Sequence, residues 1–355
     1  MSPAKRLRDL GLNLLVMVAS LVVFFSLAEG LARLGGYTPY PAQADVFRQQ
    51  FERDQFDANR MFTFDPSRVW DLRPGFSGYD VRTEDYGRET ISINSQGRRD
   101  TPVSLNKPAG TYRIALLGDS VAFGLKVEAK DNFSTQIEWN LNARSSSLRY
   151  EVLNFGVPGY GTWQELSMLK EKALAYDPDL VILAFGMNDL TDNRRADRSG
   201  FLDMTRAQGV AKFLRERSAF YRFLREKILS VEANIAQRDP CTGLDLTSCW
   251  EMTGQLLDQV VDATRQRNVK FVLVVFPIRA QTLRPALSTR QSYQEVLAKY
   301  AREKGIPEID LLNAFTQNSS EGLFLDESHP TEIGHSITAI EILEQLDAQG
   351  VLPPP

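Results

Sequence analysis

The sequence predicts an α/β domain, a parallel sheet covered by helices on both faces, behind an apolar N-terminal segment. Three observations carry that expectation. Between residues 111 and 349, short apolar strands alternate with helical stretches, the pattern of parallel βα units. The runs DLVILAF (179–185) and KFVLVVF (270–276) are apolar on both faces after their first residue, as doubly covered strands must be. Residues 10–28 (LGLNLLVMVASLVVFFSLA) carry no charge. As a helix that run reaches about 28 Å, close to the thickness of a bilayer core.

Lys5, Arg6 and Arg8 precede the apolar run and Glu29 follows it. The positive-inside rule then makes residues 1–9 a cytoplasmic tail and 10–33 a transmembrane anchor, with the remainder outside the cytoplasm, periplasmic in a bacterium. Ser26-Leu27-Ala28 loosely resembles a signal-cleavage site, but the run exceeds the usual apolar region of about 7–15 residues, which favours a retained anchor. In that compartment Cys241 and Cys249 are a disulfide candidate. Two His and two Cys in 355 residues argue against a zinc site. A formal net charge of −4 leaves no basic excess for nucleic acid.

Residues 34–110 are irregular and polar and read as an extension packed on the main domain. The main domain, 111–349, then unfolds in order. Residues 113–117 (RIALL) form the first strand, and 133–142 a helix with Asp131 as its cap. Residues 150–154 form the second strand, 162–175 a helix, and 179–185 the third strand. Residues 254–267 are helical, 270–276 the fourth strand, 291–304 a helix and 306–310 the fifth strand. The last helix covers 331–348, before a short tail at 350–355. Residues 190–250 interrupt this alternation with a helical insertion. Its stretch VAKFLRERSAFYRFLREKI has a solvated basic face, or else leans on a membrane or an anionic polymer.

In open parallel sheets, ligands bind beyond the carboxyl ends of the strands. Polar turn motifs gather there: Gly118-Asp119-Ser120, then 156–161 (GVPGYG), Gly186-Met187-Asn188-Asp189, and Asp326-Glu327-Ser328-His329. A serine hydroxyl is a weak nucleophile and needs a base. His329 can take its proton, with Asp326, three residues earlier, accepting from Nδ1–H. The backbone N–H groups of Ser120 and Gly159 and the side-chain amide of Asn188 can serve a developing oxyanion. Singly, each residue has an ordinary structural reading: Ser120 as a helix cap, Gly159 as a turn glycine, Asn188 as a loop residue, His329 as a cap of the last helix. Jointly they form a coherent set. His335, six residues past His329, reads as structural. No phosphate-binding GxxxxGK[ST] loop and no G-x-S-x-G elbow is present.

These motifs resemble the SGNH/GDSL hydrolase family, in its membrane-anchored bacterial type. Ser120 in GDS, Gly159 in NFGVPGYG, Asn188 in GMND and His329 in DESH match its four signature positions, and Asp326 matches its triad acid. The resemblance implies a three-layer α/β/α sandwich with a flavodoxin-like sheet, a serine acyl-enzyme and no cofactor. It implies an esterase acting on an acyl ester, and anchored relatives point to O-acyl groups on a carbohydrate. An O-acyltransferase would use the same acyl-enzyme. A non-catalytic binding or assembly protein would keep only the fold.

Overall fold

The charge-free N-terminal run lies within one long helix, α1 (Pro3–Leu34), in the computed structural model. Its stretch Gly11–Leu34 is long and apolar enough to cross a membrane, and its most apolar 18-residue window is not buried. The structure describes residues 3–37, 39, 48, 51–52, 61–78, 90–145, 147–198, 209–224, 227, 247–283, 292–319 and 322–353. The chain divides into two units: residues 1–46 with 203–239, and residues 47–202 with 240–355.

The larger unit opens with two short antiparallel pairs, β1 (Phe62–Asp65) with β2 (Val69–Leu72), and β3 (Ser77–Gly78) with β4 (Ile91–Ser92). Then come β5 (Thr111–Gly118), α2 (Ser120–Phe123), α3 (Phe133–Arg144), β6 (Arg149–Asn154), α4 (Thr162–Glu171), β7 (Leu180–Phe185) and α5 (Met187–Arg198). After α6 (Gly209–Arg217), which belongs to the smaller unit, follow α7 (Thr247–Arg265), β8 (Lys270–Val275), α8 (Arg279–Leu283) and α9 (Ser292–Lys304). The unit ends with β9 (Glu308–Asp310), α10 (Leu312–Gln317) and α11 (Glu332–Ala348).

Strands β5 to β9 form one parallel sheet in the order β6-β5-β7-β8-β9. This is the flavodoxin-like order. The chain leaves β5 toward one edge and crosses back from β6 to the other side, which opens a crevice at the carboxyl end of β5. The two-residue period of the strands divides their side chains between two layers. Ile114, Leu116, Leu180, Ile182, Ala184, Val272 and Val274 pack with Phe133, Ile137 and Leu141 of α3 and with Ile342, Leu343 and Leu346 of α11. The intervening Ala115, Leu117, Val181, Leu183, Leu273 and Val275 are as deeply buried, on the face that α4 and α7 cover. Full burial of one such aliphatic side chain contributes about 1.5–3 kcal/mol, so both layers hold the sheet between its helices.

Residues before β5 join this unit through buried charge. Arg113, fully buried on β5, donates to Glu151 Oε2 at 2.7 Å, to the Leu105 carbonyl at 2.9 Å and to the Tyr176 carbonyl at 2.7 Å. Asp100 accepts from the Asn154 N–H at 2.8 Å.

Several local expectations shift. The cap of α3 is Asn132, whose side chain accepts from Ser134 N at 2.9 Å, because Asp131 is already taken into the preceding turn. The helix after β6 stops at Glu171 and tightens into a 3₁₀ turn over Ala173–Tyr176. The amphipathic run 210–228 is not continuous. It breaks at Ser218, whose hydroxyl accepts from Tyr221 N at 3.0 Å and so starts new turns. Cys241 and the side chain of Cys249 lie outside the described residues.

His335 is buried on α11, stacked on Phe133 with ring centroids 5.6 Å apart, and its Nδ1 accepts from Phe133 N at 3.3 Å. Burial, helped by the nearby charges of Arg99 and His329, lowers its pKa to about 3. A depressed value means that the neutral ring stabilises the fold fully above about 6.5, the unfolded value, and that this contribution is lost as pH falls toward 3. Chemical denaturation of the wild type and of His335→Gln at pH 7.5 and pH 4.5 checks this. The wild type is expected to lose more stability between the two conditions than the variant, which keeps an acceptor for Phe133 N and does not titrate.

Candidate active site

β5 ends in a turn too sharp for any other residue than glycine. Gly118 has φ +153°, and a Cβ there would stand 2.7 Å from Ala122 Cβ and 3.1 Å from Ala184 Cβ. Asp119 follows and caps α2, its Oδ1 accepting from Val121 N at 2.8 Å. Ser120 is thereby the first residue of α2, set at the carboxyl end of the sheet where the strand order reverses.

The other two residues of the expected triad meet it there. His329 Nε2 lies 2.8 Å from Ser120 Oγ. His329 Nδ1 lies 2.8 Å from Asp326 Oδ2 and 3.0 Å from Oδ1. The three-residue spacing is itself the geometry. Asp326 Oδ1 also accepts the backbone N–H groups of Ser328 and His329, each at 2.9 Å, which folds 326–329 into one tight turn. The turn is closed by Leu325 N donating to the His329 carbonyl at 2.8 Å. Lys126 completes the array: its ammonium ion-pairs with Asp326 Oδ2, and its side chain is 5% exposed. Burial pushes the Asp326 carboxyl up. The Lys126 ion pair, the two backbone donors and the imidazole outweigh that and hold it well below the usual carboxylate range.

Asn188 stands in the first turn of α5, and its Nδ2 donates to Asp119 Oδ2 at 2.7 Å. An amide nitrogen has two hydrogens, so one remains for a second acceptor. Gly159 has φ +81° and lies in a loop tied to the end of β5 by Val157 N donating to the Gly118 carbonyl at 3.1 Å. Among the described residues, no protein group accepts from the backbone N–H of Ser120 or of Gly159. Of the three donors expected from the sequence, Ser120 opens α2, Asn188 stands in the first turn of α5 and Gly159 lies in the loop after β6. Asp119, Glu165 and Asp189 are all buried. Asp189 accepts from Gly186 N and Thr162 Oγ1, both at 2.9 Å. Burial first, and then their proximity to other carboxyls, pushes Asp189 and Glu165 well above the ordinary range. Burial likewise raises Asp119. Among the described residues, no group of three His, Cys, Asp or Glu is arranged to hold a metal.

Sequence reasoning missed two contributors. Trp70, on β2, donates from Nε1 to the Pro158 carbonyl at 3.1 Å and accepts at its own carbonyl from the Tyr160 hydroxyl at 2.7 Å. Its ring covers Gly159 so closely that a Cβ there would stand 3.3 Å from Cζ2. An aromatic inside a polar extension was the available signal. Lys126 lies 200 residues from Asp326 and carried none.

Two outcomes test this geometry. Asn188→Ala should lower kcat by about 10²–10³-fold if the amide supports an oxyanion; steady-state kinetics with an activated ester measures it. Lys126→Met removes a cation that competes with the imidazolium for Asp326. The acidic limb of the kcat/KM–pH profile should then move to higher pH, with Lys126→Arg restoring the original profile.

No curated protein matches the chain. Among solved structures it is similar to LAE5, an alpha/beta hydrolase enzyme from the metagenome of Lake Arreo, Spain. That similarity has 17% identity over 66% of this chain and 95% of the other, with a TM-score of 0.45. It is also similar to a catalytic mutant of Axe2, an acetylxylan esterase from Geobacillus stearothermophilus, at 17% identity over 66% and 94%, with a TM-score of 0.44. The profile of the GDSL-like lipase/acylhydrolase family matches residues 116–337, more than half of the chain and every motif around Ser120. With that match, the chain belongs to the GDSL-like lipase/acylhydrolase family.

Proposed function

We propose that the protein is a membrane-anchored serine esterase that removes acyl groups from an ester outside the cytoplasm, with an O-acylated carbohydrate as its substrate. The observation that carries the proposal is the unbroken contact from Ser120 Oγ through His329 to Asp326, at 2.8 Å on each side of the ring. Ser120 Oγ attacks the ester carbonyl while His329 Nε2 takes its proton. Asp326 holds Nδ1–H and stabilises the imidazolium. The carbonyl oxygen becomes an oxyanion facing the N–H groups of Ser120 and Gly159 and the Asn188 amide. Collapse of the tetrahedral species breaks the bond to the leaving alcohol, which receives the proton from Nε2. The acyl group is then on Ser120. A water molecule, deprotonated by His329, attacks the acyl carbonyl, and a second collapse returns the proton to Ser120 Oγ and releases the acid. No step in this sequence calls on a metal or cofactor.

Anchoring rests on α1. Its Gly11–Leu34 stretch has the length and composition of a span, and the Lys and Arg residues before it orient the following domain outward.

The chemistry is tested with purified protein, an acyl donor, and candidate saccharides present or absent, measuring free acid and acylated sugar separately. Free acid is expected as the dominant product throughout. Ser120→Ala should lose both turnover and labelling by a serine-directed fluorophosphonate while keeping its circular dichroism. Acylated sugar outrunning free acid would make the second half-reaction a transfer, and turnover by Ser120→Ala would remove the proposed nucleophile.

A further inference from the structure

The smaller unit joins a charged residue of α1 to the segment that follows α6. The Glu29 carboxylate lies where new helical turns begin after the break at Ser218. Its Oε2 accepts from Ser218 Oγ at 2.8 Å and from Phe220 N at 3.0 Å, and its Oε1 accepts from Ala219 N at 2.9 Å. Arg33 pairs with the same carboxylate at 2.8 Å and reaches the Arg217 carbonyl at 3.3 Å. Below this joint, the Phe220 ring packs edge-on against Phe24 and Phe25, at 6.5 and 6.4 Å between centroids. Above it, Tyr37 packs against Phe223 at 5.1 Å. A carboxylate at the end of an apolar helix is costly unless paired, and here four donors converge on it.

The joint also sets a depth. Glu29 is the first charge after the apolar run of residues 10–28 and so marks the edge of the hydrocarbon layer. At about 1.5 Å per residue, Phe24 and Phe25 stand roughly 6–8 Å beneath it. Phe220, in contact with both, lies at that level. The turns after Ser218 and the adjoining α6 are therefore held at the boundary between headgroups and acyl chains. There α6 leaves Val210, Phe213 and Leu214 exposed, at 75%, 57% and 40%, spaced i, i+3, i+4 on one face. Leu224 adds to them at 46%. The Arg217 guanidinium stands 5.3 Å from the Phe213 ring centroid, as a basic group beside an apolar face does at a phosphate layer. On α1, Phe24, Phe25, Leu27 and Leu31 are exposed as well.

We propose that residues 209–224 are an interfacial membrane element. The face of Val210, Phe213 and Leu214 lies in the lipid headgroup layer of the bilayer that α1 crosses, and Glu29 locks the element at that depth. The proposal rests on α1 being a retained anchor. It gives the basic helical stretch a lipid surface for its partner and assigns Glu29 a role that the esterase chemistry does not use.

The test uses the full chain in vesicles of phosphatidylethanolamine and phosphatidylglycerol, with a photoreactive benzophenone amino acid in place of Phe213. Irradiation followed by mass spectrometry is expected to give lipid adducts at that position. In the Glu29→Ala background, with the chain still in the membrane fraction, the adduct yield should fall severalfold. Alkaline extraction and the intact mass of the cell-expressed chain are read in parallel. A chain that is soluble and lacks residues 1–28 overturns the anchor and this proposal together. A retained chain that cross-links at residue 213 to protein instead of lipid overturns this proposal alone, as does an adduct yield indifferent to Glu29→Ala.

Discussion

Everything at the candidate site depends on the turn from β5 into α2. Ala122 and Ala184 leave no room for a side chain at Gly118, and the turn needs a positive φ that glycine alone adopts without strain. The compression has a use. It places Asp119 where one carboxylate oxygen caps α2 and the other holds Asn188, and it leaves the next hydroxyl facing His329. One short turn thus sets Ser120 and, through Asp119, the amide of Asn188 at the start of α5. A loosened turn would move both.

The charge balance around that turn is uneven, and the unevenness has a chemical sense. Asp119, Asp189 and Glu165 are buried with few compensating cations, and their carboxyls are driven toward the neutral form. Asp326 is the opposite case. With Lys126 and two backbone donors on it, it stays ionised beside His329. The carboxylate that touches the imidazole is thus the one whose ionised form its surroundings favour most. Lys126 adopts φ +72°, a conformation that costs a non-glycine residue free energy. The ion pair with Asp326 is the visible compensation.

Much of this was legible in the sequence, for identifiable reasons. Strands β7 and β8 are buried on both faces, so their apolar runs carried no ambiguity of period. Ser120, Gly159 and Asn188 follow directly on strands β5, β6 and β7, and Asp326 and His329 share one short turn, so local residue type and spacing suffice. What escaped depends on distance along the chain or on competition between neighbours. Asp131 and Asn132 are both good caps, and only the turn before them decides that Asn132 serves α3. The run 210–228 has unbroken helical spacing, and its break at Ser218 follows from Glu29, nearly two hundred residues away. Trp70 and Lys126 reach the site from segments whose own patterns are unremarked loops and short strands.

The separation between Ser120 and His329 has a consequence in time. They are 209 residues apart in sequence and meet only because α11 packs against α3 and carries the preceding turn to the end of β5. During synthesis Ser120 emerges well before residues 326–329. Until the ribosome has delivered residues 326–329 and α11 has docked, Ser120 is an ordinary alcohol with no base to activate it. Chemical competence is therefore the last property the growing chain acquires. An incomplete chain stalled before that point carries the serine without the imidazole and the carboxylate that meet it in the finished fold.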